Sequence, residues 1–316
     1  MVVVNEPEPL RAECIFGVQR LLPLIDAFSK EIEGVRTAQD IEHIHRMRVA
    51  SRRLRAALPL FASCFPEKKY QQWTEEIRKV TRALGEARDT DVQIAFLTKL
   101  IKKRDAKKSV YDPDKALPIR VTGDVETFLL SQLLKKRLKL QTAVVLSLEK
   151  LEKSGVIDEM RIFFHNQEIR AKNTRKKPSP YGIAPVAASR IAVRLVKLHS
   201  YEGWVHNPDA IAEHHAIRIA AKKLRYTMEV YGPVYRRGLK KPLSRIKKIQ
   251  EILGDLHDCD VWIDTVMVML VKERLSSQAT TGRETTRVSK VTRYKHFLAE
   301  REKERKILYQ RFVRFW

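Results

Sequence analysis

A short basic motif occurs twice in this chain, and its repetition constrains the fold more than any other feature. HRMRVASRRLR at His45–Arg55 and HAIRIAAKKLR at His215–Arg225 agree at five of eleven positions, and half of the others exchange Arg with Lys or Val with Ile. LGEARDTDV at Leu84–Val92 recurs in the same order as LGDLHDCDV at Leu253–Val261. The offsets, 170 and 169 residues, are nearly equal and too long for a solenoid repeat. This pattern predicts an internal duplication.

Residues that break helices separate the two repeats. Ala171–Pro185 combines Pro, Gly, Asn and Ser with a basic cluster, and shorter breaks occur at Lys102–Pro118 and Leu275–Thr286. We therefore predict two halves of one duplicated domain, at 8–170 and 183–316.

Apolar residues between the breaks recur with the period of an α-helix. One helix face carries Met47, Ala50, Leu54, Leu58 and Phe61. The second copy repeats this face with Ile217, Ala220, Leu224, Met228 and Tyr231.

Turn residues predict where the second of these helices begins and ends. Asn207 is its expected N-cap, with Pro208 in the first helical position and Gly232-Pro233 after its end. Further helices are expected near 8–32, 67–87, 90–104 and 122–153, and near 184–202, 239–256, 259–275 and 288–314.

The predicted fold class is all-α. No stretch alternates with the period of a β-strand, and only 11 of 316 residues are Gly, about half the usual share. We expect two antiparallel helical bundles related by pseudo-twofold symmetry.

The helix surface opposite each apolar face is basic. At about 100° per residue, His45, Arg48, Arg52 and Arg55 fall within a sector of about 80°. No acidic residue lies in this sector in either copy, so ion pairs within the helix cannot offset the repulsion. A solvated face would explain one such helix, but its recurrence favours anion binding. The first basic face is His45, Arg48, Arg52, Arg53 and Arg55; the second basic face is His215, Arg218, Lys222, Lys223 and Arg225.

The chemistry of these faces suits phosphate. The chain has 62 Lys and Arg against 38 Asp and Glu, a net charge of +24 that favours a polyanionic partner. The Arg fork donates two parallel hydrogen bonds to phosphate oxygens, and Lys adds a point charge. The next helix of each half extends the surface, although Glu251 replaces the third cation in the second copy. The extension comprises Arg78, Lys79, Arg82, Lys247 and Lys248.

These two duplicated motifs resemble those of the CHAD family, the conserved histidine α-helical domain. The resemblance covers roughly residues 10–315. It implies two helical bundles, binding of long-chain inorganic polyphosphate, phosphate contacts by both basic faces, and association with polyphosphate granules or polyphosphate-metabolising proteins. The second copy has His257 where the first has Arg88, which predicts weaker phosphate binding there at neutral pH.

Catalytic and metal-dependent alternatives have weaker support. His43 and His45 diverge on a helix, and His215 has cationic neighbours, so we expect no metal site and no cofactor. His257-Asp258 is typical of a metal-dependent phosphohydrolase, but the first copy has Arg88-Asp89 instead. Glu302, Glu304 and Lys306 match a triphosphate-tunnel signature that requires a β-strand, in a segment predicted to be helical. We therefore expect no catalytic residues. Asp89, Asp91, Asp258 and Asp260 are interpreted as helix N-caps that pair with nearby Arg.

A nucleic-acid-binding protein is the main alternative of a different class. The net charge of this chain would suit nucleic-acid binding. However, the basic faces lack interleaved aromatic residues for base stacking and Asn or Gln for base readout. No apolar stretch is long enough to span a membrane. Three cysteines suggest no disulfide framework, and the N-terminal residues do not resemble a secretory signal. We therefore expect a cytoplasmic protein.

Overall fold

The computed structural model describes residues 12–38, 40–109, 125–173, 182–235, 238–277 and 284–316. Regular structure in these residues is helical, which confirms the predicted all-α class. The α-helices are α1 (Ala12–Ser29), α2 (Ile32–Thr37), α3 (Ile41–Ala57), α4 (Glu67–Ser109), α5 (Val125–Lys153), α6 (Val156–Asn173), α7 (Ala184–His199), α8 (Ile211–Tyr231), α9 (Lys240–Ser277) and α10 (Glu284–Phe315). Short 3₁₀ segments occupy Leu58–Cys64, Glu202–Trp204 and Gly232–Tyr235.

Helices α3 and α8 carry the repeated basic motif and bury the apolar faces predicted for them. Asp40 caps α3, because its side chain accepts a hydrogen bond of 2.8 Å from the backbone N–H of Glu42. The predicted first face continues past the end of α3 into the 3₁₀ segment Leu58–Cys64. Every residue of the two predicted faces is buried: Met47, Ala50, Leu54, Leu58 and Phe61, and Ile217, Ala220, Leu224, Met228 and Tyr231.

The second motif of each copy lies inside a long helix, so the predicted breaks near residues 88 and 257 are wrong. Helix α4 has 43 residues and α9 has 38. One glycine costs a helix only about 1 kcal/mol, which packing easily offsets. Thr90 lies inside α4, where its hydroxyl donates to the carbonyl of Glu86 at 2.9 Å. The Asp residues of this motif are therefore not N-caps.

Other helix boundaries also differ from those predicted. Helix α8 begins at Ile211, because the Asn207 side chain accepts from the backbone N–H of Asp209 at 3.0 Å in a turn before the helix. Helix α6 was not predicted as a separate element. Helix α4 continues through the first part of the predicted break at Lys102–Pro118. Residues 174–181 and 278–283, within the predicted breaks at 171–185 and 275–286, lie outside the described residues.

The chain forms two compact units. The first comprises the described residues of Met1–Val92, Lys135–Arg194 and Tyr226–Lys240, and the second those of Gln93–Leu134, Leu195–Arg225 and Lys241–Trp316. Each unit therefore combines segments from the first and the second half of the sequence. The division into halves at 8–170 and 183–316 stays a prediction.

Each unit has its own apolar core. The first contains a cluster of aromatic rings, in which Trp73 packs against Phe65 and Phe164 with ring centroids 5.7 and 5.6 Å apart. In the second, Trp262 packs against Phe297 at 5.9 Å. The first core also contains Met47 and Leu54, and so fixes the orientation of α3, which carries the first basic face.

A disulfide joins Cys14 of α1 to Cys64 at the end of the 3₁₀ segment, which corrects the expectation that the cysteines form no disulfide. The Cα atoms are 5.3 Å apart, within the usual range for a bridge. The residues are 50 positions apart, and packing of α1 against this segment brings them together. Cys259 is free and buried.

Among the helices that the structure describes, none is both long and apolar enough to cross a membrane.

Candidate functional site

The first basic face occupies the side of α3 opposite its buried residues. His45, Arg48 and Arg52 are half-buried, whereas Arg53 and Arg55 are exposed. Because Met47, Leu54 and neighbouring apolar residues anchor α3 in the core, the cations are held at the surface of the first unit.

Residues of other elements contact this face, which the helical period alone could not predict. Arg48 forms an ion pair with Asp89 of α4, with Nη2 and Oδ1 2.8 Å apart. The Arg53 Nε lies 3.7 Å from the Glu229 carboxylate, and the Arg52 guanidinium lies 5.9 Å from the centre of the Tyr226 ring. The Asp89 side chain is 69% exposed, so its pair with Arg48 is weak and can exchange for another anion.

The first face continues onto α4 as a concentration of positive charge. Partial burial of its guanidinium, followed by the charges of Arg78, Arg52 and Arg82, lowers the pKa of Arg55, although other parts of the side chain are exposed. The cations of the two helices are therefore close enough to repel each other. An anion bound here would relieve that repulsion.

His45 lies at the N-terminal end of the same face. Burial and the neighbouring Arg88 are the main causes that lower its pKa, and Arg48 and Arg46 act in the same direction. His45 is therefore neutral at physiological pH and can offer a phosphate a neutral N–H donor.

The second basic face has a related arrangement in the second unit, with a histidine in place of Arg88. The Nδ1 atoms of His215 and His257 are 3.3 Å apart, and their ring centroids are separated by 4.5 Å. Burial, then Arg218, His215 and Lys222, lowers the pKa of His257 to about 4. Burial and the same two cations also lower the pKa of His215. Both rings are therefore neutral near pH 7.

A glycine of the second motif lies beside an arginine of each basic face. A β-carbon placed on Gly85 would lie 3.8 Å from the Arg48 Nε, and one placed on Gly254 would lie 4.0 Å from the Arg218 Nε. The missing side chains leave open the helix backbone next to each guanidinium. The recurrence of Leu-Gly in both copies is the sequence signal for this contact.

The predicted extensions are mostly paired within their own helices. Arg78 pairs with Glu75 at 2.8 Å, Lys79 with Glu76 at 2.7 Å, and Lys248 with Glu251 at 3.0 Å. These pairs are exposed and span three residues, so each contributes little to stability. Arg82 and Lys247 are exposed on α4 and α9. The charge of Arg82 acts on Arg55, so Arg82 lies near the first face even though Glu251 replaces it in the second copy.

The last Asp of each second motif is structural. Asp91 is buried and pairs with Arg137 of α5 at 2.7 Å, while Asp260 is buried and pairs with Arg305 of α10 at 2.6 Å. The predicted pairing of these Asp residues with Arg is thus correct. These pairs connect the long helices to their neighbours.

The remaining histidine motifs contain no recognisable metal site. His214 is buried between the rings of Tyr309 and Phe312, with centroids 5.5 and 5.6 Å away, and so belongs to the core. In the part of the chain that the structure describes, no three His, Cys, Asp or Glu residues are arranged to hold a metal ion.

Comparison with known protein families gives a match over most of the chain. The CHAD domain family model matches residues 19–266, which include both basic faces and both copies of the second motif. The chain belongs to the CHAD family. The CHAD assignment confirms the resemblance seen in the duplicated motifs.

Two solved structures share the fold of this CHAD protein. The CHAD domain from the plant Ricinus communis aligns with a TM-score of 0.66 at 19% identity, over 98% of this chain and 96% of that chain. PptA from Streptomyces chartreusis aligns with a TM-score of 0.54 at 14% identity, over 98% of this chain and 99% of that chain. No curated protein matches the chain. At these identities the structures show a common fold.

Proposed function

We propose that this CHAD protein binds long-chain inorganic polyphosphate through its two basic faces. The observation that carries the proposal is the recurrence of one arrangement in both units: a His and Arg/Lys helix face beside a glycine of a second helix. The link between the CHAD family and polyphosphate supports the same ligand. Repeated cations spaced along a helix suit a polymer of repeated phosphates, since each Arg can engage adjacent oxygens.

The half-buried setting of the central residues supports defined contacts rather than diffuse attraction. Arg48 and Arg218 pack over glycine backbone, and Arg52 lies on the Tyr226 ring. Side chains held in this way lose less conformational entropy on binding than exposed ones. The basic faces therefore provide a preorganised surface for phosphate.

A competition assay tests this choice of ligand. Labelled long-chain polyphosphate is bound to the full chain at physiological salt and then displaced with unlabelled polyphosphate, duplex DNA or RNA at equal phosphate concentration. We expect polyphosphate to displace the label at the lowest concentration. Displacement by DNA or RNA at lower concentration would favour the nucleic-acid alternative.

We further propose that binding involves no catalysis. Glu302, Glu304 and Lys306 lie on α10, where they cannot alternate as the triphosphate-tunnel signature requires. Purified protein with Mg²⁺ or Mn²⁺ should therefore release no phosphate from polyphosphate or nucleotides. Release that is lost in His257→Ala or Asp258→Ala would instead support a phosphohydrolase.

We propose that binding places the protein on polyphosphate granules, where it can meet polyphosphate-metabolising proteins. A fluorescently tagged chain should co-localise with granules and become diffuse when polyphosphate is depleted. Unchanged localisation after depletion would contradict this role.

A further inference from the structure

His257 is the main chemical difference between the two basic faces. In the first unit, the positive charge of Arg88 lowers the pKa of His45. In the second unit, His257 occupies the matching position of the motif and contacts His215. Arginine stays charged at every relevant pH, whereas imidazole titrates near neutrality. The two faces therefore differ in a group whose charge depends on pH.

The contact between the two rings controls how they take up protons. With 3.3 Å between the Nδ1 atoms, one neutral ring can donate its N–H to the lone pair of the other. One added proton gives a hydrogen-bonded cation. A second added proton would leave an N–H donor on both facing Nδ1 atoms. This is unfavourable unless a bound anion accepts a hydrogen bond from one of the rings.

Cations dominate the surroundings of this pair. Arg218 and Lys222 of α8 face both rings, and Asp260 of α9 is an opposing charge near His215. Asp260 is engaged by Arg305 of α10, so it does not neutralise the pair. Burial and these cations keep the pKa of His257 at about 4 in the free protein. A bound phosphate would raise the pKa of His257, because its negative charge stabilises the imidazolium form.

A metal ion does not fit this position. Within the described residues no third His, Cys, Asp or Glu completes a ligand group around the pair. The positive charges of Arg218 and Lys222 oppose a metal cation and favour an anion.

We propose that His257 is a further phosphate-binding residue and that, together with His215, it makes the second basic face a proton-coupled phosphate site. A polyphosphate segment binding there takes up a proton at the histidine pair, and its affinity rises as the pH falls. The first face, with Arg88 in the matching position, has a weaker dependence on pH. This inference rests on the proposed binding of polyphosphate.

Proton uptake measured by calorimetry tests the inference directly. Long-chain polyphosphate is titrated into the full chain at pH 7.5 and 5.5, at constant ionic strength, in buffers with different ionisation enthalpies. The key variant is His257→Arg, which copies the first face, and the matched control is Arg88→His, which copies the second. Circular dichroism at both pH values checks that each variant is folded.

The wild-type protein should take up protons and bind about tenfold more tightly at pH 5.5, as linkage requires for uptake of a fraction of a proton over this range. His257→Arg should bind at least as tightly at pH 7.5 and lose most of the uptake. Arg88→His should take up more protons than wild type when polyphosphate binds. Because internal phosphates are strong acids, titration of the polymer contributes little and cancels between variants.

The outcomes separate the inference from the proposed function. Binding by wild type with equal proton uptake in His257→Arg would overturn the proton-coupled site and leave polyphosphate binding intact. No binding at either pH would overturn both. A measurement independent of variants is the ¹⁵N NMR titration of the His257 ring, whose pKa should rise when polyphosphate is added; an unchanged pKa would also overturn the inference.

Discussion

The Arg48 guanidinium packs over Gly85, so that a β-carbon on Gly85 would lie 3.8 Å from the Arg48 Nε. Arg218 and Gly254 repeat this relationship in the second unit at 4.0 Å. Both distances are ordinary van der Waals contacts, so an alanine would fit without a clash. The glycines therefore destabilise two long helices, although the space around them would accept a methyl group. Their presence indicates a role at the surface that they leave open.

We expect Gly85→Ala and Gly254→Ala to stabilise the protein while weakening polyphosphate binding. Each should raise the free energy of unfolding by roughly 0.5–1 kcal/mol, since alanine favours a helix interior. The added methyl groups restrict the guanidinium groups and the approach of phosphate, so affinity should fall severalfold. Urea denaturation and a binding titration measure the two effects, with Gly203→Ala, whose β-carbon meets nothing within 4 Å, as the control. Unchanged affinity would mean that phosphate does not approach these glycines.

The disulfide predicts one free thiol in the denatured, unreduced protein. Cys259 should react with a thiol reagent, while Cys14 and Cys64 should react only after reduction. A bridge spanning 50 positions should stabilise the fold by roughly 2–4 kcal/mol, so reductant should lower the urea midpoint. The variant with Cys14→Ser and Cys64→Ser should be insensitive to reductant. Three reactive thiols before reduction would contradict the bridge.

Acid should destabilise the free protein through its half-buried histidines. The pKa of His257 is about 4 when folded, against 6.5 for a free imidazole, so the unfolded state binds more protons between these values. The stability that neutral His257 contributes is complete above pH 6.5 and is lost as the pH falls towards 4. Lowered pKa values of His45 and His215 act in the same direction.

Urea denaturation at pH 7 and pH 4.5 measures this loss. We expect the contribution of His257 to the free energy of unfolding to fall by roughly 1–3 kcal/mol between these pH values, after allowance for solvent screening. His257→Gln should have a flatter dependence on pH than wild type, because glutamine does not titrate in this range. Equal slopes for the two proteins would show that His257 is not held neutral by the fold.

Much of the candidate site was predictable from sequence, because the residues concerned follow the helical period. Met47 and Leu54 define the buried side of α3, and this places Arg48 and Arg52 on the opposite side without knowledge of the fold. The same reasoning identified the second basic face on α8. The helical period gives the direction of each side chain around its own helix axis, and this requires no information about neighbouring helices.

The partners of these residues were not predictable, because they depend on which helices meet. Nothing in the local pattern places Glu229 beside Arg53, or Tyr226 beneath Arg52. The continuity of α4 was not predicted either, since Asp89 and Asp91 have the preferences of helix caps, and their partners Arg48 and Arg137 lie on other helices.

Binding should weaken steeply with salt if several cations displace counterions from the polymer. For single-stranded nucleic acids the slope of log K against log[salt] is about −0.7 per neutralised phosphate, so about six contacts would give a slope near −4. Titrations from 50 to 200 mM salt measure it. A flat dependence would mean that the basic faces do not neutralise phosphates.

Neutralising the centre of both faces should abolish tight binding with little effect on the fold. Reversal to Glu would place a carboxylate against Asp89, so Gln is the better substitution. The face variant combines Arg48→Gln, Arg52→Gln, Arg218→Gln and Lys222→Gln. Its matched control neutralises four cations of the basic segment between the halves: Lys172→Gln, Arg175→Gln, Lys176→Gln and Lys177→Gln. Both variants lose the same charge.

The most direct test is the polyphosphate dissociation constant of these two variants and wild type, measured at one salt concentration. Each lost charge-assisted contact contributes roughly 1.5–3 kcal/mol, so the face variant should bind at least about 100-fold more weakly, with nearly unchanged helicity and melting temperature. The control should lose much less. Equal losses in both variants would show that net charge drives binding and would contradict a defined phosphate site on the two basic faces.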